Sequence, residues 1–540
     1  MAYNIADLLE HAVDLMPERV AVVCGEHRRT FGELEHRANR VAHYFAAQGI
    51  TAGAHVGIYS SNSVEYVETM IALFKLRAVP ININYRYTAE ELAYLFDDAD
   101  LQGLVHERQY AGLVAQARTS EMKHLVVVED GSATDYDGVE YEQALAQGSA
   151  ERDFGRRSSD DVYVIYTGGT TGMPKGVVWR QEDVWRVLGG GIDFRTGTPV
   201  LDEWEPATLG SRQPPPVFFP VAPLMHGAGQ WAALGAWCAG GTVVLIPKFD
   251  AAEIWRTIAR EKVTRVSIVG DAMARPMIEA YRPGEHDASS LVALTSSAAV
   301  FSPSVKQQFR DSFPELVIRD AVGSSETGLT GIGGGAAGGD GLRVHRDSAT
   351  IVIDDRGRPV PPGVVGRMAR SGQVPLRYHK DPVKSAAAFI EVDGVRYAVP
   401  GDMARIEDDG SMTLLGRGSG CINSGGEKIF PEEVEAALKA HAAVFDALVV
   451  GKPDERFGQR VVAVVQPRAG AEPTLAELDG FLRTRLAGYK IPRELHLVAE
   501  VRRMPSGKPD YRWAQERVRS SRSGELLPSS DAGMRGSCAP

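Results

Sequence analysis

Hydrophobic and polar residues follow two recurring patterns along the first four hundred residues, helical spacing and short apolar runs. Residues 31–45 have the spacing of an amphipathic helix, with Thr30 placed to cap it and Glu33 near the capping-box position. Residues 55–59 predict a short strand, and residues 64–76 predict a mostly apolar helix. This alternation indicates parallel β-sheets with helices packed on their faces.

The same alternation continues through the middle of the chain. Residues 254–261 predict a helix that leads into a strand at 265–269, and residues 291–294 and 316–318 predict strands that run into loops of small residues. In such sheets, ligands bind beyond the carboxyl ends of the strands. We therefore predict an α/β fold with a large N-terminal domain, residues 1–416, that is rich in parallel sheets with packed helices.

The pattern changes after residue 416 to that of a smaller α+β unit. The elements predicted there are helices at 434–440 and 475–486 and strands at 447–450 and 461–465. We predict that residues 417–519 form a small, mobile C-terminal domain. Residues 520–540 are rich in Ser, Gly and charged residues, which predicts a disordered tail. A glycine-rich run at 331–341 predicts a mobile loop.

Composition narrows the class of protein. A chain of 540 residues exceeds what one hydrophobic core usually supports, which agrees with more than one domain. The net charge of −11 argues against nucleic acid or an anionic membrane as the main partner. The four cysteines lie far apart without a Cys-x-x-Cys pair, which favours the cytoplasm and argues against disulfides or a zinc site. The first residues lack the basic and apolar regions of a signal peptide.

One uncharged stretch, residues 227–246, is long enough to cross a membrane. Gly240 and Gly241 interrupt it, however, and the β-branched run that follows at 242–246 favours a strand. We therefore predict a buried helix, a turn and a strand in this stretch rather than a transmembrane segment.

The most informative stretch is the turn at 166–176, which follows a buried strand predicted at 162–165. Its candidate phosphate-binding residues are Thr167, Gly168, Gly169, Thr170, Thr171, Gly172 and Lys175. Glycines let backbone N–H groups approach a polyphosphate, hydroxyls donate further hydrogen bonds, and lysine supplies positive charge. It is not a Walker A loop, because Lys175 is not followed by Ser or Thr. A plain turn between two strands is the alternative, but this motif is longer and less degenerate than such turns.

This turn resembles the signature loop of the adenylate-forming enzymes, the family of acyl-CoA synthetases, adenylation domains and luciferases. In that family the loop holds the β- and γ-phosphates of ATP. The usual pattern has Ser where this chain has Gly168, whereas Lys175 and the other glycines are kept. The resemblance covers residues 5–515, with separate motifs in family order.

A second candidate is His226, which lies between a strand predicted at 217–221 and a glycine pair. From the residues alone, a core or helix-capping histidine is the simpler interpretation. In the family the matching segment lines the acyl site. The resemblance therefore implies that His226 orients the substrate carboxylate and gates the approach of the thiol.

A third candidate lies in residues 320–328, after the strand predicted at 316–318. A Glu beside a Ser in a glycine loop could supply one Mg²⁺ ligand and one phosphate hydrogen bond, or could merely begin a helix. The family usually has Tyr-Gly-x-Thr-Glu here, and this chain has Val322 in place of Tyr. The resemblance implies that Glu326 is the Mg²⁺ ligand. The nucleotide-binding residues that it implies beside Glu326 are Gly323, Ser324 and Ser325.

Three further segments resemble family motifs and, taken alone, are typical of a small-residue strand end, a plain turn and a flexible linker. Ala298 and Ala299 match the small-residue segment that lies against the adenine. Asp402, in a Pro-Gly-Asp run, would accept hydrogen bonds from the ribose hydroxyls. Arg417 would contact the ribose or the α-phosphate.

The beginning of the smaller unit resembles the family's hinge. Ser419 stands at the hinge position, where the family usually has Asp or Lys, and the resemblance implies that the C-terminal domain rotates there. Ser424 and Gly425 would face the pantetheine arm of CoA, since glycine lets a thin chain pass close to the backbone. Lys508 follows a Pro-Ser-Gly turn, the context in which the family places the lysine that bridges carboxylate and α-phosphate during adenylation.

Together these motifs imply an ATP-dependent acid–thiol ligase that forms an acyl-CoA through an acyl-AMP intermediate. The implied cofactors are ATP, Mg²⁺ and CoA, and the implied catalytic residues are Lys508, Glu326 and His226. The implied partners are small molecules, namely a hydrophobic carboxylic acid, ATP and CoA, and the resemblance is compatible with a homodimer.

Less universal stretches at 270–276, 322–328 and 422–428 resemble actinobacterial ligases that activate the carboxylated side chain of sterols during cholesterol breakdown. They imply a substrate like 3-oxocholest-4-en-26-oate. A medium- or long-chain fatty acyl-CoA synthetase is the nearest alternative. A luciferase-like adenylating monooxygenase and a non-catalytic nucleotide-binding relative stay open.

Overall fold

The computed structural model describes residues 4–167, 173–188, 200, 202–299, 301–333, 342–424, 427–454, 457–504, 507–520 and 525–526. For residues 417, 419, 428, 458, 525 and 526 it describes the backbone only. The chain divides into two compact units. The first comprises residues 1–301, 305–414 and 504–508, and the second comprises 302–304, 415–503 and the described residues from 509 onward.

Sixteen α-helices lie in the described residues. In the described residues the α-helices are α1 (Ile5–Leu15), α2 (Phe31–Ala47), α3 (Val64–Lys75), α4 (Ala89–Asp98), α5 (Ala111–Ala117), α6 (Tyr141–Gln147), α7 (Gln181–Leu188), α8 (Glu205–Ser211), α9 (Gly227–Cys238), α10 (Ala251–Glu261), α11 (Gly270–Ala280), α12 (Pro303–Ser312), α13 (Pro382–Ala388), α14 (Pro431–Lys439), α15 (Leu475–Leu482) and α16 (Tyr511–Ser520).

The described strands form four sheets. In the described residues they are β1 (Val20–Cys24), β2 (His27–Thr30), β3 (His55–Tyr59), β4 (Val79–Asn82), β5 (Leu101–Glu107), β6 (His124–Val128), β7 (Val139–Glu140), β8 (Val162–Thr167), β9 (Lys175–Arg180), β10 (Val217–Pro220), β11 (Thr242–Leu245), β12 (Arg265–Ile268), β13 (Ala293–Ser297), β14 (Val317–Ser324), β15 (Gly328–Gly333), β16 (Leu342–Arg346), β17 (Thr350–Ile353), β18 (Val365–Ser371), β19 (Arg377–Tyr378), β20 (Phe389–Val392), β21 (Val395–Ala398), β22 (Asp402–Ile406), β23 (Met412–Arg417), β24 (Ile422–Ser424), β25 (Glu427–Ile429), β26 (Val444–Asp454), β27 (Gly458–Pro467), β28 (Glu494–Leu497) and β29 (Glu525–Leu526).

The first unit is built on one long sheet and two smaller ones. The long sheet has the strand order β2-β1-β11-β10-β12-β13-β14-β15-β16-β23-β22-β18-β21-β20, with β17 beside β18. It is parallel from β1 to β14 and antiparallel from β14 to β23. A five-stranded parallel sheet has the order β4-β3-β5-β6-β7, and a three-stranded antiparallel sheet has the order β19-β9-β8. The predicted α/β class with parallel-rich sheets is thereby confirmed.

The local signals near the N-terminus predict the helices well. Thr30 caps α2 through its side chain, which accepts from the N–H of Glu33, and the Glu33 carboxylate accepts from the Thr30 N–H. The predicted strand at 55–59 is β3, and the predicted helix at 64–76 is α3 with one residue fewer. The uncharged stretch at 227–246 is α9, a turn and β11 as predicted. Among the described residues, no helix is both long and apolar enough to cross a bilayer.

Several boundaries differ from the predictions. The strand predicted at 291–294 is β13, which begins at Ala293, and the helix predicted at 475–486 ends at Leu482. Residues 328–333 form β15, so the first part of the loop predicted at 331–341 is a strand, and 334–341 lie outside the described residues. Two of the glycines in this run, Gly331 and Gly333, lie in β15 against the neighbouring strand β16. A Cβ at either position would lie 2.9 or 2.6 Å from the backbone of β16, so glycine fits there and a larger residue does not. The predicted tail lies almost entirely outside the described residues.

The second unit is a small α+β layer whose sheet is covered on both faces. Its strand order is β25-β24-β27-β28-β29, with β26 beside β27. Ala447 and Val449 of β26 pack in the cluster that includes residues of α14 and α15, whereas Leu448 and Val450 pack in the cluster that includes residues of α16. Side chains alternate between the faces of a strand, so this continuous apolar run serves two cores. The domain boundary predicted at 416/417 stays a prediction beside the division at 414/415.

Candidate functional site

The three-stranded sheet places several polar side chains on one face. Thr167 at the end of β8 pairs with Lys175 at the start of β9, and Tyr378 of β19 pairs with Val177. Residues directly paired across strands, and residues two apart along a strand, point to the same face. Thr167, Lys175, Trp179 and Tyr378 therefore share one face of this sheet. Lys175 begins a strand here, whereas the sequence suggested that it lies inside the turn.

This shared face holds a compact polar cluster with Glu326. The Lys175 ammonium donates to the Tyr378 hydroxyl at 2.7 Å and lies 3.1 Å from Glu326 Oε1. The Tyr378 hydroxyl in turn donates to Glu326 Oε1 at 2.9 Å. Tyr378 is 3% exposed and Glu326 is 7% exposed, so both are withdrawn from solvent. The structure thus brings together Lys175 and Glu326, both predicted from the sequence, and adds Tyr378.

The backbone around Glu326 is fixed by two neighbours. Ser324 Oγ accepts from the N–H groups of Glu326 and Thr327, both at 3.2 Å. The Trp179 indole N–H donates to the carbonyl of Ser325 at 2.9 Å. Gly323 and Ser324 belong to β14 and pair with β15, so the predicted glycine loop is in fact a hairpin with Ser325, Glu326 and Thr327 in its turn. Glu326 therefore projects from a turn that is tied to β9.

The last glycine of the turn at 166–176 has a packing role. Gly176 pairs with Tyr166, and a Cβ on Gly176 would lie 2.8 Å from the Tyr166 ring. The Tyr166 hydroxyl donates to Asp98 at 2.7 Å. Burial and this carboxylate raise the pKa of Tyr166 well above its ordinary value, so the ring stays a neutral donor. Of the other predicted phosphate-binding residues, Gly168, Gly169, Thr170, Thr171 and Gly172 lie outside the described residues.

Asn82, at the end of β4, connects this strand pair to the segment that carries His226. Its side-chain amide donates to the carbonyls of Tyr166 at 2.8 Å and Met225 at 2.7 Å, and its oxygen accepts from the Tyr166 N–H at 2.8 Å. Asn82 is 5% exposed. One buried amide thereby fixes the residues immediately before Thr167 and immediately before His226.

The segment before His226 is held by further buried polar groups. The Leu224 N–H donates to Asn62 at 2.7 Å, and the Leu224 carbonyl accepts from the Tyr66 hydroxyl at 3.2 Å. His226 itself is half-buried and precedes α9, where its carbonyl accepts from the N–H of Gln230. Its ring makes no capping hydrogen bond to the helix. The alternative of a capping histidine is therefore wrong for the side chain.

The predicted adenine-side residues lie where β13 and β14 end together. Ser297 at the end of β13 pairs with Ala321 of β14, so Ala298 follows β13 beside the strand that carries Gly323. Ala298 has φ +63°, in the left-handed region that favours glycine. The Ala299 N–H donates to the Ser297 carbonyl at 2.8 Å, which closes a tight turn at Ala298.

A buried ion pair joins Lys306 to Asp320 of β14. The Lys306 ammonium lies 2.5 Å from the Asp320 carboxylate, and both side chains are more than nine-tenths buried. Burial raises the pKa of Asp320, and Lys306 opposes that shift. This pair supports the strand that leads to Ser324 and Glu326.

The remaining predicted residues lie at strand ends. Asp402 is the half-buried first residue of β22, and Arg417 ends β23, with only its backbone described. Ser424 ends β24 and pairs with Glu427 across a two-residue connection whose residues, Gly425 among them, lie outside the described ones. Before Arg417, Gly416 has φ +127°, a backbone conformation that favours glycine, and a Cβ on it would meet the Glu432 carboxylate unless that side chain moved.

Lys508 lies in a tight turn. Its carbonyl accepts from the Met504 N–H at 2.8 Å, and the Gly507 N–H donates to the Met504 carbonyl at 2.8 Å. Gly507 has φ +77°, which glycine adopts without strain. The Lys508 side chain is half-buried, and Lys508 belongs to the first compact unit.

The donor set around Glu326 fits a magnesium ion. In the part of the chain that the structure describes, no group of three or more His, Cys, Asp or Glu side chains is placed to hold a metal. Magnesium is usually held by one or two carboxylates together with substrate phosphates and waters rather than by a protein cage. The single buried carboxylate of Glu326 is compatible with that kind of site.

Comparison with known proteins places this arrangement in a family. The model of the AMP-binding enzyme family matches residues 9–377, and that of the AMP-binding enzyme C-terminal domain matches residues 433–508. The chain belongs to the AMP-binding enzyme family.

Two similar relatives are CoA ligases. The 3-oxocholest-4-en-26-oate–CoA ligase of Rhodococcus rhodochrous is 54% identical over 534 residues, which cover 96% of each chain. The medium/long-chain-fatty-acid–CoA/3-oxocholest-4-en-26-oate–CoA ligase of Mycobacterium tuberculosis (strain ATCC 25618 / H37Rv) is 52% identical, again over 96% of each chain. The anthranilate CoA ligase AuaEII in complex with anthranoyl-AMP has a similar fold, with a TM-score of 0.85 at 22% identity over 96% of this chain and 98% of that one.

The predicted family and reaction class are thereby confirmed. This AMP-binding enzyme is an acyl-CoA ligase, an acid–thiol ligase that uses ATP and CoA and works on small molecules.

Sequence reasoning missed the residues that hold the site together. Asn82 stands inside the apolar run at 79–83, and a polar residue in a buried strand is a signal that could have marked it, because buried polar groups are hydrogen-bonded. Tyr378 has no such signal, since its partners come from β9 and from the turn after β14. Trp179 likewise looks like an ordinary apolar position of a strand.

Proposed function

We propose that this AMP-binding enzyme converts the side-chain carboxylate of a steroid acid into its CoA thioester through an acyl-adenylate. One observation carries the substrate class: the 54% identity to a 3-oxocholest-4-en-26-oate–CoA ligase extends over 96% of both chains.

In the first step a carboxylate oxygen attacks the α-phosphorus of ATP, and the bond from that phosphorus to the oxygen of the β-phosphate breaks. Pyrophosphate leaves, and the acyl-adenylate remains. Lys175 and Thr167 would bind the departing phosphates, together with Thr170 and Thr171. Lys508 would bridge the carboxylate and the α-phosphate, and so stabilise the charge that grows between them.

The other residues would orient the reactants. Ala298, Ala299 and Gly323 would lie against the adenine, and Asp402 and Arg417 would bind the ribose. His226 would orient the carboxylate. Positioning of this kind lowers the activation barrier, because the bound reactants have already lost the translational and rotational freedom that reaction would otherwise cost.

The nucleotide's metal would be held at the turn between β14 and β15. Glu326 would be the ligand of Mg²⁺, and Ser324 and Ser325 would line the phosphates. When bound, Mg²⁺ neutralises phosphate charge. The single buried carboxylate of the polar cluster supports this assignment.

In the second step the CoA sulfur attacks the acyl carbon, the bond from that carbon to the phosphate oxygen breaks, and AMP leaves. Ser424 and Gly425 would border the pantetheine arm. Rotation of residues 417–519 about Ser419 would withdraw Lys508 between the two steps, and such motion often limits turnover.

The compartment and the assembly are part of the same proposal. The thiols of Cys24 and Cys238 are free and buried, which suits a reducing cytoplasm. A homodimer is the proposed assembly, and the mass of the purified protein in solution, by light scattering, tests it against a monomer of 58.4 kDa.

A fatty-acid substrate is the second candidate, because the relative from Mycobacterium tuberculosis carries both activities in its name. The test is ATP- and CoA-dependent release of AMP with a panel of side-chain steroid acids and straight-chain fatty acids. We expect the highest kcat/KM for a steroid acid with the long side chain. A clear preference for fatty acids would keep the ligase chemistry and discard the steroid assignment.

The same assay separates the more distant alternatives. Formation of an acyl-CoA thioester excludes a monooxygenase that would consume the adenylate with oxygen. Any turnover excludes a non-catalytic nucleotide-binding protein.

A further inference from the structure

The Tyr378 hydroxyl is hydrogen-bonded to both charged members of the polar cluster. Its oxygen accepts from Lys175 at 2.7 Å, and its single proton goes to Glu326 Oε1 at 2.9 Å. The Lys175 ammonium also lies 4.0 Å from the centre of the Tyr378 ring. Tyr378 therefore touches both groups that the proposed function assigns to the phosphates and to the metal.

The position of Tyr378 is itself rigid. Its N–H donates to Ser385 Oγ at 2.9 Å, and on either side of it the Leu376 and His379 N–H groups donate to carbonyls of β9 at 2.7 Å. Its ring lies 5.3 Å from that of Phe389. A hydroxyl on so fixed a ring can define the orientation of a carboxylate.

We propose that Tyr378 is a positioning residue that orients the Glu326 carboxylate for the metal of the bound nucleotide. The inference rests on the proposed function. In the absence of nucleotide, the Lys175 ammonium compensates the charge of Glu326. When phosphates draw Lys175 away, the Tyr378 hydroxyl keeps its hydrogen bond to Oε1, so the plane of the carboxylate does not change as the metal replaces the ammonium as counter-charge.

This role predicts a specific defect in Tyr378→Phe. The ring and its packing are kept, but Glu326 loses one charge-assisted hydrogen bond of the kind that contributes about 1.5 kcal/mol, a factor of about ten in an equilibrium constant. We expect the affinity for an ATP analogue with a methylene group between the α- and β-phosphorus to fall about tenfold when Mg²⁺ is present. With EDTA in place of Mg²⁺ we expect the affinity to be unchanged, because Lys175 still binds the phosphates.

The chain offers a matched control in Tyr141. Like Tyr378 it is 3% exposed, and its hydroxyl donates to a buried carboxylate, that of Glu68, at 3.1 Å. Tyr141→Phe removes an equivalent hydrogen bond outside the polar cluster. We expect it to lower the melting temperature about as much as Tyr378→Phe and to leave both affinities unchanged.

The experiment is isothermal titration calorimetry of the full chain with this analogue, with Mg²⁺ or with EDTA, for wild type, Tyr378→Phe, Tyr141→Phe, Glu326→Gln and the double variant of Tyr378 and Glu326. Tyr378→Phe should have no further effect in the Glu326→Gln background. An equal loss with Mg²⁺ and EDTA, an unchanged affinity, additive effects in the double variant, or the same loss in Tyr141→Phe would each overturn the proposal. If Mg²⁺ does not strengthen nucleotide binding by the wild type, the assigned metal site fails and this inference fails with it.

Discussion

Asn82 and Tyr166 are joined by two hydrogen bonds that imitate a pair of strand residues, with the side-chain amide of Asn82 in place of a backbone. The same amide nitrogen also bonds the carbonyl of Met225. One side chain therefore holds the end of β8 and the start of the His226 segment at a fixed separation. The phosphate-binding turn and the acyl side of the site depend on a residue that belongs to neither.

Replacing Asn82 with Ala should destabilise the protein by about 3 kcal/mol, because it leaves two carbonyls and one N–H buried without their partner. The KM for both ATP and the acid should rise, since both segments lose their anchor. Chemical denaturation and steady-state kinetics measure the two effects.

Asn84→Ala is the matched control for that change. Asn84 is two residues further along and is also buried, but within the described residues its side chain accepts from a single group, the Arg86 N–H, at 3.0 Å. We expect about 1 kcal/mol of destabilisation and unchanged KM values. Equal effects of the two substitutions would remove the special role of Asn82.

Lys508→Ala should separate the two half-reactions. We expect the rate of adenylation to fall by at least about a hundredfold, since a charge aimed at the transition state is lost. Exchange of labelled pyrophosphate into ATP measures this rate. Thioester formation from added acyl-AMP should persist, because that step does not use Lys508. Lys262→Ala, which removes an exposed lysine paired with Asp287, is the control for a lost positive charge. Survival of both half-reactions in Lys508→Ala would show that its assigned role is wrong.

Ala298→Gly should stabilise the protein by about 0.5 kcal/mol. An L-residue in the left-handed region costs about 1–2 kcal/mol, and glycine removes that cost while adding freedom to the unfolded chain. Ala299→Gly should lower stability by a similar amount, since Ala299 is not among the residues with positive φ in the described chain. Thermal denaturation of the pair tests the sign, and a loss of stability in Ala298→Gly would contradict the prediction.

Stability should fall as the pH drops below about 6.5. Burial lowers the pKa of His55 and of His106 below the ordinary histidine value of about 6.5, and for His55 this prevails over its bond to the Ala99 carbonyl. Protons therefore bind the unfolded chain first, and the folded state loses relative stability from that pH downward. In His55→Gln and His106→Gln the melting temperature should depend less on pH between 7 and 5.5.

The exposed His27 provides the control for that series. His27→Gln should retain the pH dependence of the wild type. A slope unchanged in all three variants would assign the pH dependence to other groups.

The elements that the sequence predicted best are those with local signals. The capping box of Thr30 and Glu33 and the apolar run of β3 specify their elements within a few residues, so α2 and β3 agree with the prediction. β14 differs from the prediction, which ended this strand at residue 318. Its last residues are extended because they pair with β15, and small residues such as Gly323 give no local signal for a strand. Lys175 and Glu326 were predicted because they lie in family motifs. Tyr378 and Asn82 act through partners distant in sequence, which no local pattern reveals.

The shared face of β9 limits which sequence changes this strand tolerates during evolution. Lys175 and Trp179 are four positions apart on one strand, so both side chains reach the turn that carries Glu326 only while their separation is an even number of positions. Val177 could be exchanged for another residue of similar volume at small cost. Loss or gain of one residue between them would send Lys175 and Trp179 to opposite faces, so β9 tolerates drift in composition and not in length.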